Sequence, residues 1–137
     1  MIDIALAIAK KAHVGQVDKA GVDYIQHPLY VASLVKTEQE KAVALLHDVI
    51  EDSDVTADDL LAVGLSNEVV TAVQILTKKK GQSYQEYLEK VKSNNLARVV
   101  KLADLKHNSD LSRLKSITNT DYERVEKYKN AIRYLST

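Results

Sequence analysis

The sequence predicts an all-α fold, and three observations carry that prediction. Apolar residues recur at spacings of three and four almost throughout. The 137 residues include one proline and four glycines, so few positions interrupt a helix. Serine or threonine followed three residues later by an acid recurs ahead of apolar stretches, the signature of a capping box. No period-two alternation is long enough to make a strand. The length suits one domain, residues 1–137, built as a bundle of about seven or eight helices.

The elements follow in order. Ile4, Ile8 and Ala12 share a face, as do Ile2, Leu6 and Ala9, and Gly15 stops this first helix. Residues 15–26 form a polar loop. His27-Pro28 opens a second helix, since proline fits a first turn where its missing N–H has no partner anyway, and Leu29 to Val35 continue it. A third helix starts near Glu38 and runs through Ala42 to Ile50 and on to Asp52. Thr56 to Asp59 caps a short helix ending at Gly64, Ser66 caps one through Leu76, and Ser83 to Glu86 is another capping box. A long helix runs from Leu96 toward Leu114. Thr120 to Glu123 caps the last, whose stripe of Tyr122, Val125, Tyr128, Ile132 and Leu135 is expected in the core.

Composition narrows the function. Nineteen basic residues balance nineteen acidic ones, which speaks against a nucleic-acid polymer as partner, because such binding needs a clustered positive field. Cysteine is absent, which excludes disulfide frameworks and thiolate zinc sites and suits a reducing, cytoplasmic setting. No apolar run approaches the ~18 residues that span a bilayer, and the apolar start lacks the basic region of a secretory signal. A soluble intracellular protein with no membrane partner is expected.

The third helix carries the chemistry. Seven of the nine residues from Ala42 to Ile50 are apolar, so it is central, yet His47 and Asp48 sit in its middle. A carboxylate there is costly unless paired or bound to a metal. Glu51 lies one turn beyond His47 and Asp52 one turn beyond Asp48. His27 stands where a polar loop meets a helix, and Asp104 interrupts the apolar stripe of the long helix, with Asn108 one turn on. Read singly, these residues fit a hydrogen-bonded core pair, a packing histidine and surface acids. Together His27, His47, Asp48 and Asp104 form a set of imidazoles and carboxylates suited to manganese, iron or zinc. Such a metal activates water and polarises phosphoryl oxygens, and Glu51 and Asp52 stand next to it to handle a proton. His13 reads as a structural residue at a helix C-terminus. His107 faces the site or stands beside it.

At these residues the sequence resembles the HD-domain metal-dependent phosphohydrolases. More narrowly, it is similar to the (p)ppGpp hydrolase domain of Rel/Spo proteins and their small stand-alone relatives. The matching segments are Tyr24-Ile25-Gln26-His27-Pro28, Leu45 to Asp52 with its HDxxED pattern, and Lys101-Leu102-Ala103-Asp104 followed by His107-Asn108. The similarity spans residues 12–114. It implies an all-α HD bundle and Mn²⁺, or another divalent transition metal, held by His27, His47, Asp48 and Asp104. It further implies Glu51 and Asp52 as catalytic acids, and Lys19, Tyr24 and Asn108 at the site of a small anionic nucleotide. The activity implied is removal of pyrophosphate from the 3′ position of (p)ppGpp.

The substrate loop departs from the family pattern. Asp18 replaces an arginine that stacks on guanine, Ala20 replaces a serine, Leu105-Lys106 replaces Arg-Leu, and Leu111 stands where a hydroxyl or acid is common. Asp18 cannot supply a cationic stacking contact. Hydrolysis of another small nucleotide is therefore the second expectation, and a non-catalytic nucleotide-binding sensor the third. Retention of both Glu51 and Asp52 weighs against the sensor.

Overall fold

The computed structural model describes residues 1–112 and 114–137; Arg113, within the span expected for the long helix, lies outside them. Among the described residues the chain is all-α, in the order α1 (Ile2–Ala12), α2 (Gln26–Ser33), α3 (Glu38–Leu46), α4 (Val49–Asp52), α5 (Ala57–Ala62), α6 (Asn67–Leu76), α7 (Tyr84–Ser93), α8 (Asn95–Asn108) and α9 (Asn119–Leu135). Helix α3 is the hub, packing on α1, α2, α6 and α8. It earns that position by composition: Ala42 to Leu46 are all buried, so every side of its second half meets another helix. Leu46 and Val43 of α3 share a fully buried core with Val73 of α6 and Leu105 of α8. No helix among the described residues is long and apolar enough to cross a membrane.

Capping residues set most helix starts. Thr37, Thr56 and Ser83 each accept from the N–H three residues on, and the acid there reaches back to the cap's own N–H. Ser66 and Asn94 cap α6 and α8 more simply.

Four expectations are corrected. The third helix is not continuous to Asp52. It breaks at His47-Asp48, because the His47 ring donates to the Ala44 carbonyl at 2.6 Å and Asp48 turns to φ −106°, ψ 0°. The long helix stops at Asn108, where the N–H of Asp110 bonds back to His107 and Asp110 Oδ1 accepts from Ser112. The last helix is capped by Thr118 with Asp121, two residues before the expected box. Asp121 then takes the inward position that Tyr122 was expected to fill, and Tyr122 is 59% exposed. In α1, Ala5 and Ala9 face the core while Ile4 is 40% exposed, since the small residues allow α1 to lie close on α3.

Candidate metal centre and adjoining cavity

The break in the helix at His47-Asp48 creates the centre of the site. A carbonyl oxygen can only accept, so His47 Nδ1 carries the proton it donates to Ala44. The other nitrogen, Nε2, is buried and without a hydrogen-bond partner among the described residues. It faces Asp48 Oδ2 at 3.0 Å and Asp104 Oδ1 at 3.3 Å. A lone pair set against two carboxylate oxygens requires a positive charge between them, either a proton or a metal ion. Burial by itself disfavours the imidazolium, but Asp48 and Asp104 outweigh it and raise the His47 pKa. In the metal-free protein those two carboxylates favour a second proton on the ring.

His27, on the first turn of α2, completes the cluster. Its Nε2 lies 2.7 Å from Asp104 Oδ1, and donor atoms of His27, His47 and Asp104 all fall within 4.8 Å of one another. Neighbouring ligands around one ion, each about 2.0–2.2 Å from it, stand about 3 Å apart at right angles. Two imidazoles and carboxylates, with no sulfur, therefore fit a divalent transition metal. Asp48, expected as a fourth ligand, stands outside that set: its Oδ2 lies 3.0 Å from His47 Nε2 and accepts from the Tyr24 hydroxyl.

The carboxylates are firmly ionised. Burial of Asp104 is more than offset by Lys101, His27 and His47, which hold its pKa well below the usual range. Lys101 Nζ donates to Asp104 Oδ2 at 2.9 Å, leaving Oδ1 turned to the imidazoles. For Asp48, burial is likewise outweighed by His47, and its pKa is lowered. Glu51 and Asp52 stand on the exposed side of α4 with raised pKa values, pushed up by burial and by the negative charge of Asp48.

A cavity of about 320 Å³ opens beside the cluster. The three residues expected to bind substrate, Lys19, Tyr24 and Asn108, all line it. Tyr24 reaches from its wall to Asp48, and Asn108 Nδ2 donates to Asp104 Oδ1 at 3.1 Å. Asp18 also lines it, but as a turn-maker. Its Oδ1 accepts from the N–H groups of Ala20 and Val22 at 2.8 and 3.0 Å. That turn needs Gly21 at φ +80°, a region that favours glycine, and a Val17–Asp23 bridge closes it into a small hairpin.

Some residues were missed by the sequence reading. His107, left between two roles, is buried and lies with Nδ1 2.7 Å from His27 Nδ1, where it can orient that ring. Its position three residues after Asp104, like that of Lys101 three before, was a readable signal of a shared helix face. Arg124 and Tyr128 of α9 also line the cavity. Tyr128 was assigned only to the core stripe, and nothing in its local sequence marks the cavity.

Comparison with known proteins finds relatives by sequence and by fold. No family model matches the chain. A guanosine-3′,5′-bis(diphosphate) 3′-pyrophosphohydrolase of Haemophilus influenzae is 38% identical over 115 residues, 74% of this chain and 17% of its own. The bifunctional (p)ppGpp synthase/hydrolase SpoT of Escherichia coli K12 is 37% identical over 118 residues, 76% of this chain and 17% of its own. The chain resembles the HD hydrolase domain of Rel/Spo proteins. Its fold is also that of a solved metazoan SpoT ortholog, described as hydrolysing ppGpp, with a TM-score of 0.79 over 98% of this chain and 84% of the other at 23% identity. The chain thus spans about a sixth of the length of these Rel/Spo relatives.

Proposed function

We propose that residues 1–137 form one hydrolase domain that removes pyrophosphate from the 3′ position of guanosine 3′,5′-bis(diphosphate). The observation that carries this reading is that Tyr24 and Asn108 line the cavity while their polar ends hold Asp48 and Asp104. A ligand in that cavity touches the two side chains that hold the cluster's carboxylates. The names of the similar enzymes supply the substrate, and a cysteine-free sequence suits work in the cytoplasm.

In this reading His27, His47, Asp48 and Asp104 hold Mn²⁺. A bound metal of this kind lowers the pKa of water and polarises a phosphoryl oxygen. Glu51 and Asp52, whose pKa values burial and the charge of Asp48 push up from the ordinary carboxylate range, take the proton from the attacking water and return one to the departing 3′ oxygen. Oxygen–phosphorus bond formation on one side accompanies cleavage of the bond to the 3′ oxygen, and pyrophosphate leaves. Lys19 offers a cation to the nucleotide's other phosphates and Asn108 an amide to its sugar or base. Asp18, spent on shaping the hairpin, offers no cation for stacking, which supports the second reading, a different small nucleotide.

The test is a panel of nucleotides incubated with Mn²⁺-loaded protein, following pyrophosphate against phosphate. Pyrophosphate release from guanosine 3′,5′-bis(diphosphate) is expected. Preference for another nucleotide selects the second reading, and nucleotide binding without turnover selects a sensor. Asp48→Ala is expected to lose the metal, whereas Glu51→Gln keeps it and loses about 10²–10⁴-fold in kcat. Equal metal loss in both would contradict the division of roles.

A further inference from the structure

The C-terminal end of α1 carries a polar pair that the proposed function leaves unused. Gln16 Nε2 donates to two carbonyls, Ala12 at 3.2 Å and Asp52 at 3.0 Å, the second across 36 residues of chain. That fixes the orientation of the amide, so its oxygen faces His13 Nδ1, 2.8 Å away. An amide oxygen only accepts, and His13 Nδ1 is therefore the donor. The His13 ring is 3% exposed, and its Nε2 is buried with no partner among the described residues. Among the described residues Gln16 alone, as a polar partner, sets the rotation of this ring. The ring in turn packs on Tyr24, with centroids 4.9 Å apart. Tyr24 donates to Asp48.

Two routes thus run from this pair toward the metal centre. Gln16 ties the main chain of Asp52, at the end of α4, to α1. His13 backs the tyrosine that holds Asp48. Capping of α1 requires neither, because the His13 N–H on the Ala9 carbonyl and Gln16 Nε2 on the Ala12 carbonyl close the helix without the bond to Asp52 or the contact with Tyr24. A partly solvated hydrogen bond such as that to Asp52 also adds little net stability. Its specific effect is to fix where α4 presents its carboxylates.

We propose that His13 and Gln16 form a latch that positions Asp52 and Asp48 for hydrolysis without touching substrate. This rests on the hydrolase reading above. His13 and Gln16 are positioning residues, and their contribution belongs to kcat rather than to KM.

The test uses the full chain with Gln16→Ala, Gln16→Glu, His13→Ala and His13→Asn. Glutamate keeps an acceptor for His13 and loses the donor to Asp52. Asparagine keeps an N–H near the Nδ1 position and loses the rest of the ring. Three quantities are measured: kcat and KM with Mn²⁺ and guanosine 3′,5′-bis(diphosphate), Mn²⁺ affinity, and hydrogen–deuterium exchange of amides 49–55. Both Gln16 variants should lose about 10-fold or more in kcat, a magnitude usual for outer partners of a metal site. Their KM should hold and exchange over 49–55 should quicken. His13→Ala should behave likewise, and His13→Asn should recover part of the loss.

Unchanged exchange in Gln16→Ala would overturn the latch whatever the activity. Faster exchange with unchanged kcat would overturn its positioning role, as would equal loss in His13→Ala and His13→Asn. If the unaltered protein releases no pyrophosphate but exchange still responds to Gln16→Ala, the hydrolase reading fails while the mechanical tie between α1 and α4 stands.

Discussion

Replacing Lys101 by methionine removes a charge while nearly preserving side-chain length. Its ammonium lies 2.9 Å from Asp104 Oδ2, with the two side chains 16% and 6% exposed. At an effective dielectric of about 20, the attraction at that distance is about 6 kcal/mol. Part of it is offset by the desolvation of the ammonium, which methionine no longer bears. Removing one partner of a buried pair typically costs about 3–5 kcal/mol, and the residual exposure of Lys101 favours the lower end. With an unfolding entropy of about 2.1 cal/mol/K per residue, a loss of about 3 kcal/mol lowers Tm by about 10 °C. Calorimetric melting in chelator measures this directly. Adding saturating Mn²⁺ should narrow the gap, because the ion replaces the positive charge that Asp104 has lost. A Tm within about 2 °C of the unaltered protein in chelator would refute this account of Asp104, given the magnitudes above. So would a gap that Mn²⁺ leaves unchanged.

Other outcomes follow from the same structure. Tyr24→Phe removes a donor to Asp48 and should weaken Mn²⁺ binding about 10-fold, read by isothermal titration; unaltered affinity would remove Tyr24 from the metal's support. Leu46→Ala empties a fully buried position in α3 and should cost about 3–4 kcal/mol in urea unfolding, whereas a loss below about 1 kcal/mol would mean that the hub is loosely packed. The raised His47 pKa gives the metal-free protein stability that is full below about pH 6.5 and lost as pH rises through the folded value. Metal binding needs neutral His47, so Tm in chelator should fall with rising pH while Mn²⁺ affinity climbs. At the acid end, the Thr118 N–H and Arg124 hold the Asp121 pKa at about 2. Its contribution is present above the unfolded value and disappears as pH falls through that of the folded state. Asp121→Asn should therefore melt lower than the parent at pH 6 and converge with it near pH 2.

Sequence and structure meet most closely where a local rule decides the outcome. Ser66 and Ser83 mark the starts of α6 and α7 because each cap bonds only within its own turn. The cluster of His27, His47 and Asp104 was legible because charges amid apolar residues have few tolerable explanations. The break at His47-Asp48 was not, since it follows from a ring bonding to its own backbone instead of continuing a helical pattern. Tyr122 was misplaced because Asp121, a polar residue, takes the inward position once Thr118 becomes the cap. Asp18 was read by the charge it brings, while the structure uses it to bend the hairpin. The cavity wall from α9 depends on how two distant helices dock, and no spacing within α9 encodes that.

Tyr24 and Asn108 each belong to two places at once, the wall of the cavity and the grip on a carboxylate. An ion held by those carboxylates and a molecule in the cavity would act on the same two side chains. Whatever factor the ion contributes to the affinity for a molecule in the cavity, that molecule must return to the affinity for the ion, because the coupling free energy is a property of the pair. Occupied together, the sites strengthen each other or compete. The sign of that exchange is written in two side chains, a phenol and an amide.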